Sequence, residues 1–198
     1  MPVMLKQSLP PNVLTKFESV ANRNRIQVEV LIERNYELSN LTWQIIRIFE
    51  LNIRHFIDSE ISKFTGNSTW FTDSNLIYRK HLERGPQETN SYQLAGIGFL
   101  RTLFADRYHK SLWVPCFSPA LPLWKETRKI FYQNFSSLVR VRNRIAHHEI
   151  IYNYPLIEVG VFAQQIMLDV NIEAARTIEG MKFAEKITQI RLGSGGGI

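Results

Sequence analysis

The chain has 198 residues, of which 44% are hydrophobic and 12% aromatic, so it is long and apolar enough to bury a sizeable core in one globular domain. Its composition excludes disordered and low-complexity sequence, and its lone Cys116 excludes an internal disulfide and favours a reducing, cytoplasmic compartment. The formal net charge of +6 is modest. The sequence contains no apolar run of about 18 residues and no signal-peptide pattern, so neither a membrane span nor export is predicted.

Apolar residues recur at helical spacing through most of the chain, whereas strand-like alternation is nearly absent. The predicted fold class is therefore all-α, a helical bundle that forms a single domain over residues 1–192. The last six residues, 193–198 (GSGGGI), have the composition of a flexible linker left by protein engineering and are interpreted as a tail outside the fold.

The N-terminal part of the chain predicts two helices. The first is expected after Pro11, with Asn12 as its cap, and its apolar positions run through a break near Asn22. The second is the strongest in the chain and is expected over about 38–64, where apolar side chains form a wide face before Gly66 ends the helix.

The middle of the chain is expected to be less regular. Residues 65–75 have the composition of a loop, 76–84 predict a short helix, and 92–108 predict a further helix. The hydrophobic stretch 111–124 contains three prolines, so it is expected to be an irregular connector that packs over the core.

Two long helical patterns follow. One covers about 124–148 with a break near Asn134, and the other covers 155–184 with a division near 169–171. Positive charge is concentrated in the first pattern, where residues 125–144 hold six basic side chains against one acid. Such a segment favours a polyanionic partner such as RNA, but a solvated helix face produces the same asymmetry, so the charge alone leaves both open.

The most specific segment is 136–151, SSLVRVRNRIAHHEII. On a helix, Leu138, Val141 and Ile145 form one apolar stripe, which turns that side of the helix towards the core. The polar residues of the segment are therefore expected on the opposite, accessible side.

Arg140, Asn143 and His147 occupy that opposite side, and the side chains of Asn143 and His147, one turn apart, are expected to meet. Arg142 lies about 140° round an ideal helix from His147. A joint site for the two therefore requires the long arginine side chain to reach round, the helix to end near His147, or a second subunit to complete the site.

These residue types fit metal-free cleavage of RNA. Histidine exchanges protons near neutral pH, and arginine donates several hydrogen bonds in the geometry that a phosphate accepts. In such a reaction the 2′-hydroxyl attacks its own phosphate, with a base at that hydroxyl and an acid at the departing 5′-oxygen. One such histidine in a chain implies that two chains cooperate. An Arg and a His on a helix are more often a surface pair or a structural network, and this alternative remains open.

Neighbouring residues of the motif are secondary candidates. Arg140 and Arg144 flank Asn143 with positive charge, whereas His148 adjoins the apolar stripe and is interpreted as structural. Glu149 fits a cap or an ion pair as well as a chemical role.

The upstream helix adds two more secondary candidates. Glu50 and Arg54 form a polar ridge with Arg47 and Asp58 at helical spacing. The ridge predicts either a solvated, salt-bridged face or a cleft opposite His147 that Glu50 and Arg54 line.

Three tryptophans, Trp70, Trp113 and Trp124, could stack on RNA bases, but packing in the core is the more common role for tryptophans in such connectors. The chain has no glycine-rich phosphate loop, no HExxH motif and no serine nucleophile elbow.

The motif resembles a known family. Residues 142–147, RNRIAH, match the RNxxxH signature of HEPN domains, and RNRIAHHE is similar to the Abi-like branch, which is named for abortive phage infection. The upstream segment 31–57 is similar to the early helices of that family, and STWF at 68–71 resembles its tryptophan-containing turn. The resemblance covers about residues 30–155.

The resemblance implies an all-α bundle, usually dimeric, in which Arg142 and His147 of both chains face a cleft and act as a metal-independent endoribonuclease. His147 would be the general acid or base, Arg142 would bind the scissile phosphate, and Asn143 would orient its neighbours. No cofactor and no metal ion is implied. The implied partners are an RNA substrate, a second copy of the chain and an antitoxin protein, without a membrane, and such proteins often serve as toxins or phage-defence effectors.

The chain departs from the family at two positions: His55 follows Arg54 where asparagine is common, and Glu149 stands where some members have a tyrosine that is modified. The alternative function is a non-catalytic HEPN-like module that binds RNA, a nucleotide or a protein and uses Arg142 and His147 as a structural network. Exposed side chains that converge across a two-fold axis favour catalysis, whereas side chains buried within one core favour the alternative.

Overall fold

The protein is described by a computed structural model over residues 6, 7, 9–73, 76 and 95–193, and within these residues it forms helices, turns and loops with no strand. The all-α prediction is confirmed. None of the described helices is long and apolar enough to cross a membrane. The helices are labelled α1 (Pro11–Asn24), α2 (Val28–Thr65), α3 (Ile97–Thr102), α4 (Arg128–Ala146), α5 (Leu156–Val170), α6 (Ile172–Gly180) and α7 (Phe183–Leu192).

The break between α1 and α2 lies three residues beyond its predicted place. Arg25 adopts a left-handed conformation with φ 54°, and the N–H of Ile26 donates to the carbonyl of Ala21. Helix α2 then begins at Val28, well before the predicted start, because Leu31 and further apolar residues extend its buried face towards the N-terminus.

Helix α2 is 38 residues long, which corresponds to about 57 Å at 1.5 Å per residue. It ends where predicted, at Gly66, which has φ 67° and donates its N–H to the carbonyl of Ser62 at 2.9 Å. A helix end of this kind favours glycine because a left-handed residue without Cβ carries no steric penalty.

The described residues between α2 and α4 differ from the prediction in the extent of their helices. The predicted helix over 92–108 is shorter, since α3 covers Ile97–Thr102 and a 3-10 turn covers Asp106–Tyr108. The predicted helix over 76–84 lies outside the described residues except for Leu76. The expected loop before it contains a 3-10 turn, Trp70–Thr72.

The prediction of an irregular connector over 111–124 is wrong in its first half. Residues His109–Phe117 form a π-helix, and Ser118–Ala120 form a short helical turn. Pro115 has no N–H and would clash with the carbonyl four residues earlier in an α-helix, and the wider π turn changes that spacing. Four buried side chains hold this segment on the core, as predicted for an apolar connector: Leu112, Trp113, Cys116 and Phe117.

Helix α4 begins at a Thr127 cap, whose hydroxyl accepts from the N–H of Ile130 at 3.3 Å. It continues unbroken past Asn134, contrary to the predicted break, because Phe131 and Phe135 keep one buried face through that position. The helix ends at Ala146, just before the histidines of the motif.

The C-terminal pattern divides into three helices rather than two. The division near 169–171 is confirmed, since Asn171 caps α6 by accepting from the N–H groups of Glu173 and Ala174. A second division lies at Lys182, which has φ 49° and precedes α7. Of the predicted tail, Gly193 follows α7, and the remaining residues lie outside the described part of the chain.

The centre of the core is a cluster of aromatic rings. Phe49 of α2 lies with its ring centroid 5.2 Å from that of Phe135 of α4 and 5.6 Å from that of Phe162 of α5. Phe131 of α4 lies 5.4 Å from Phe162 and 4.5 Å from Phe104. Aromatic pairs at these distances add to the energy of apolar burial. The cluster fixes α4 against α2 and α5, and so fixes the segment that carries the motif.

Candidate functional site

The two sides of α4 are those that the sequence predicts. Leu138 and Val141 are fully buried, and Ile145 packs against the core. Asn143 and His147 on the other side are exposed. The apolar stripe therefore orients the polar half of the motif towards solvent.

The end of α4 is set by a specific pair of backbone hydrogen bonds. The N–H of His148 donates to the carbonyl of Ile145 at 3.0 Å, and the N–H of Glu149 donates to that of Arg144 at 2.8 Å. This pair defines a Schellman ending, which requires one left-handed residue, and His148 supplies it with φ 53°. His147 is the last residue before this turn, and its φ of −97° and ψ of 13° lie outside the α-helical region.

This ending changes two expectations. His148 has a structural role, as predicted, but through its backbone, and its side chain is exposed instead of lying on the apolar stripe. The expected contact of Asn143 with His147 is not formed, since the structure joins them only through the helical backbone bond from the N–H of His147 to the carbonyl of Asn143.

Arg142 faces α2 and belongs to a cluster of charges. Its Nε lies 3.9 Å from Oε2 of Glu50, and its guanidinium carbon lies 5.6 Å from the centroid of the Trp43 ring. Glu50 also pairs with Arg54, whose Nη2 lies 3.3 Å from Oε1, while Nη1 of Arg54 donates to the carbonyl of Ala95 at 2.6 Å. Glu50 thus bridges two arginines, one on each helix.

The Arg142 guanidinium is held but not saturated. Its side chain is 32% exposed, and the 3.9 Å separation from Glu50 is too long for a hydrogen bond. Its Nε is buried and has no hydrogen-bond partner among the described residues. The group is therefore positioned by charge and by the Trp43 ring, and it keeps donors that an added phosphate could use.

The polar ridge of α2 is only partly solvated, and Glu50 and Arg54 do not line the groove that contains His147. Arg47 is exposed and has the solvated character predicted for such a face. Glu50 and Arg54 instead contact the motif helix and the segment before α3. Asp58 accepts from the indole N–H of Trp70 at 2.9 Å, so it anchors the turn after α2.

The three tryptophans considered for base stacking are core residues. Trp70 is completely buried, and Trp113 and Trp124 are nearly so. The packing role favoured by the sequence is confirmed for all three.

Arg144 fixes the loop after α4. Its Nη1 lies 3.0 Å from Oε2 of Glu149, its Nε donates to the carbonyl of Ile150 at 3.0 Å, and its guanidinium carbon lies 4.7 Å from the centroid of the Tyr154 ring. Glu149 is therefore an ion-pair partner, one of the two roles predicted for it. The guanidinium of Arg144 therefore already has partners within the loop, and fewer of its donors remain for a ligand.

Asn35 anchors the same loop to α2. It is buried, and its Oδ1 accepts from the backbone N–H of Ile151 at 2.7 Å. A buried N–H without an acceptor is costly, so this bond fixes how the end of the motif sits on α2.

A basic groove of about 450 Å³ separates α1 from the end of α4. Its basic side chains come from both walls, and Glu149 is the acidic residue that lines it. They are Lys16, Arg23, Arg144, His147 and His148. A polyanion of modest width, such as an RNA backbone, has the complementary charge.

A second groove of about 530 Å³, the aromatic groove, shares His148 with the first. Tyr36 and Trp43 of α2 line it together with Ala146 at the end of α4. The two grooves therefore meet at the histidines of the motif.

The structure separates the predicted catalytic residues into two places within one chain. Arg142 lies with Glu50 on the α2 side, whereas His147 lines the basic groove on the α1 side. No hydrogen bond or ion pair of the described residues joins Arg142 to His147. Arg140 is exposed and lines neither groove.

Comparison with known proteins gives no match: no protein-family model, no curated protein and no solved structure matches this chain at a significant level.

The basic segment 125–144 is not one positive surface. Arg128 donates to the carbonyl of Phe104 and pairs with Asp106 at 2.7 Å, and Lys125 donates to the carbonyl of Pro122. Some of the basic residues that made a polyanionic partner plausible from the sequence therefore bind other groups of the same chain and stabilise the fold.

Several groups of the site lie outside the sequence prediction. Lys16 and Arg23 belong to the helix that forms one wall of the basic groove, and Asn35 and Trp43 belong to α2. The spacing of Asn35 and Trp43 among apolar residues gives no signal of a site. Only the packing of α1 and α2 against the end of α4 reveals them.

Neither a metal-binding cluster nor an exposed thiol is found among the described residues. These residues contain no cluster of three or more His, Cys, Asp or Glu side chains able to hold a metal ion. Burial raises the pKa of the Cys116 thiol to about 12, so this thiol is a poor nucleophile at neutral pH.

Proposed function

We propose that the protein is a metal-independent endoribonuclease of HEPN type, acting as a toxin or phage-defence effector. Its active site is composite: His147 of one chain works with Arg142 of a second copy. The defence role rests on the RNxxxH resemblance of residues 142–147, whereas the chemistry is supported by the geometry of α4.

The observation that carries the proposal is the position of His147. Its side chain is exposed at the end of α4, and none of the hydrogen bonds and ion pairs of the described residues uses its imidazole. It lines a groove with Lys16 and Arg23, which supply positive charge on the facing wall. A histidine without an internal partner, beside a cationic groove, can reach a proton on a bound polyanion.

Arg142 supplies the second part. Glu50 and Trp43 hold its guanidinium in one orientation, and the 3.9 Å ion pair leaves donors for phosphoryl oxygens. Positioned donors lower a barrier most where charge develops during the reaction. Arg142 and His147 of one chain are separated, so we place Arg142 of one chain and His147 of the other in the same site.

The proposed reaction needs no other side chain. His147 removes the proton of the 2′-hydroxyl, whose oxygen attacks the adjacent phosphorus while the bond from phosphorus to the 5′-oxygen breaks. The leaving oxygen takes a proton from a water molecule, and the protonated His147 then returns its proton to the hydroxide that remains. Arg142 donates hydrogen bonds to the phosphoryl oxygens as their charge grows. The products end in a 2′,3′-cyclic phosphate and a 5′-hydroxyl.

The test is incubation of the purified protein with total RNA and with tRNA in EDTA. We expect cleavage, with ends that carry a 2′,3′-cyclic phosphate. His147→Ala and Arg142→Ala should each lower the cleavage rate by about 100-fold or more, since each removes a group that acts only in the transition state.

Folding must be unchanged for these variants to be informative. Arg142 is partly exposed, so the loss of its ion pair and ring contact should cost about 1 kcal/mol or less. Lys129→Ala is the matched control, because Lys129 is an exposed cation on α4 far from both grooves. No cleavage by the folded wild-type protein, or wild-type rates for both active-site variants, contradicts the proposal.

A second candidate function has its own support. The contacts of Arg142 with Glu50 and Trp43 also fit a structural network that joins α4 to α2 in a non-catalytic HEPN-like binding module. Such a module would bind RNA in a salt-dependent manner without producing cut ends. The EDTA experiment separates the two functions, because only the ribonuclease generates cyclic phosphate.

A further inference from the structure

We infer that the aromatic groove is a nucleobase subsite, which takes an unpaired base of single-stranded RNA next to the phosphate held in the basic groove. The inference rests on the proposed RNA substrate and specifies which part of the RNA the protein recognises, an unpaired base. It assigns a binding role to α2 residues that the sequence motif does not include.

The walls of this groove have the chemistry of a base site. Tyr36 is 47% exposed, so the face of its ring is accessible, and it lines the groove with Trp43. Aromatic faces stack on splayed bases, which is the main way that proteins hold single-stranded RNA. A groove of about 530 Å³ is within the range of small-molecule sites.

The polar groups of the groove are few, and all of them except His148 lie on α2. Ser39 and Asn40 of α2 line it, and Asn40 is exposed, so its amide can donate and accept at the edge of a base. The hydroxyl of Ser39 instead donates to the carbonyl of Asn35 at 2.7 Å, and Asn35 is buried with its Oδ1 bound to the N–H of Ile151. Asn40 is therefore the exposed amide that can read the edge of a base. An apolar site with a small number of polar groups is typical of specific ligand pockets.

The position of the groove fits one nucleotide unit. His148 lines both grooves, so a base in the aromatic groove places its phosphate towards Lys16 and His147 in the basic groove. The two grooves differ as this arrangement requires, since five basic side chains line the basic groove and only one, His148, lines the aromatic groove.

The test measures binding of two short 2′-O-methyl oligonucleotides, one with bases and one abasic, to the full chain. The 2′-O-methyl group removes the nucleophile, so binding is measured without cleavage. We expect Tyr36→Ala to weaken binding of the oligonucleotide with bases by about five-fold or more, the effect of losing one stacked base. Binding of the abasic oligonucleotide, which reports backbone contacts alone, should be unchanged.

Two control variants make the result specific. Tyr36→Phe keeps an aromatic face and should bind as the wild type does. Phe64→Ala removes a side chain of the same 47% exposure near the other end of α2, and it should have no effect. Because Trp70, Trp113 and Trp124 are buried, quenching of tryptophan fluorescence by the oligonucleotide should come from Trp43 and vanish in Trp43→Phe.

The inference and the proposed function can fail separately. Equal losses for both oligonucleotides in Tyr36→Ala, or no loss for either, overturn the subsite even if RNA cleavage is observed. Base-dependent binding in a protein that never cuts RNA overturns the ribonuclease and retains the subsite. Failure to bind either oligonucleotide overturns the subsite.

Discussion

His148 occupies the left-handed region of backbone conformation with φ 53°, where a side chain with a Cβ is strained. Histidine is tolerated there better than most residues, but glycine is the residue that such helix endings favour. A strained residue beside a groove with exposed histidines is consistent with selection for its side chain over the stability of its backbone.

We therefore expect His148→Gly to raise the free energy of unfolding by about 1 kcal/mol, because it relieves the left-handed strain. Urea denaturation followed by circular dichroism measures the change. His109→Gly is the matched control: His109 is exposed but has helical dihedrals, φ −56° and ψ −51°. There the same substitution should lower stability by about 1 kcal/mol, and a loss at both positions would contradict the role assigned to His148.

At the scale of elements, the contact of α5 with α7 depends on one glycine. A Cβ built on Gly160 would lie against Cδ1 and Cε1 of Phe183, closer than carbon atoms approach in folded proteins. Phe183 is itself buried, so its ring has little room to move. The absence of a side chain at Gly160 lets the first residue of α7 pack directly on α5.

Gly160→Ala should therefore lower the free energy of unfolding by about 1 kcal/mol, the cost of displacing the Phe183 ring less the gain in helix propensity. In Gly98→Ala, where a new Cβ on α3 meets nothing within 4 Å, only the propensity gain remains, so stability should rise or stay constant. Thermal and urea unfolding of both variants measure the difference. Equal shifts in the two variants would show that the Phe183 contact has no energetic weight.

The sequence predicts helices well where one apolar face persists and a small residue ends it. The end of α2 at Gly66 and the division of the C-terminal pattern at Asn171 are both such places. The sequence predicts helices poorly where tertiary packing overrides a local signal. The π-helix around Pro115 shows this, because its buried side chains pack on residues far away in the sequence, such as Phe117 on Phe56 of α2.

At the scale of the whole molecule, the candidate site is predicted only in part. The faces of α4 follow from the spacing of Leu138 and Val141, which places Asn143 and His147 in solvent. The grooves do not follow from it, because they arise where α1 and α2 pack on the end of α4. Contacts between helices far apart in sequence, such as Trp43 on Arg142, leave no periodic signal.

Because Arg142 and His147 of one chain are separated, the proposal that each site uses residues of both chains can be tested with heterodimers. In a two-fold dimer each composite site takes one of these residues from each chain. A heterodimer of one Arg142→Ala chain and one His147→Ala chain then has one intact site out of two. With the two chains co-expressed under different tags and purified on both, we expect about half of the wild-type cleavage rate, although each homodimeric variant is inactive.

The reciprocal heterodimer decides how the site is assembled. A wild-type chain paired with a doubly substituted chain, Arg142→Ala with His147→Ala, has no intact composite site and should be inactive. If Arg142 and His147 acted within one chain, the results would be reversed: this second heterodimer would retain half of the rate and the first would have none. The pair of measurements therefore distinguishes a shared site from two independent ones, whatever RNA serves as substrate.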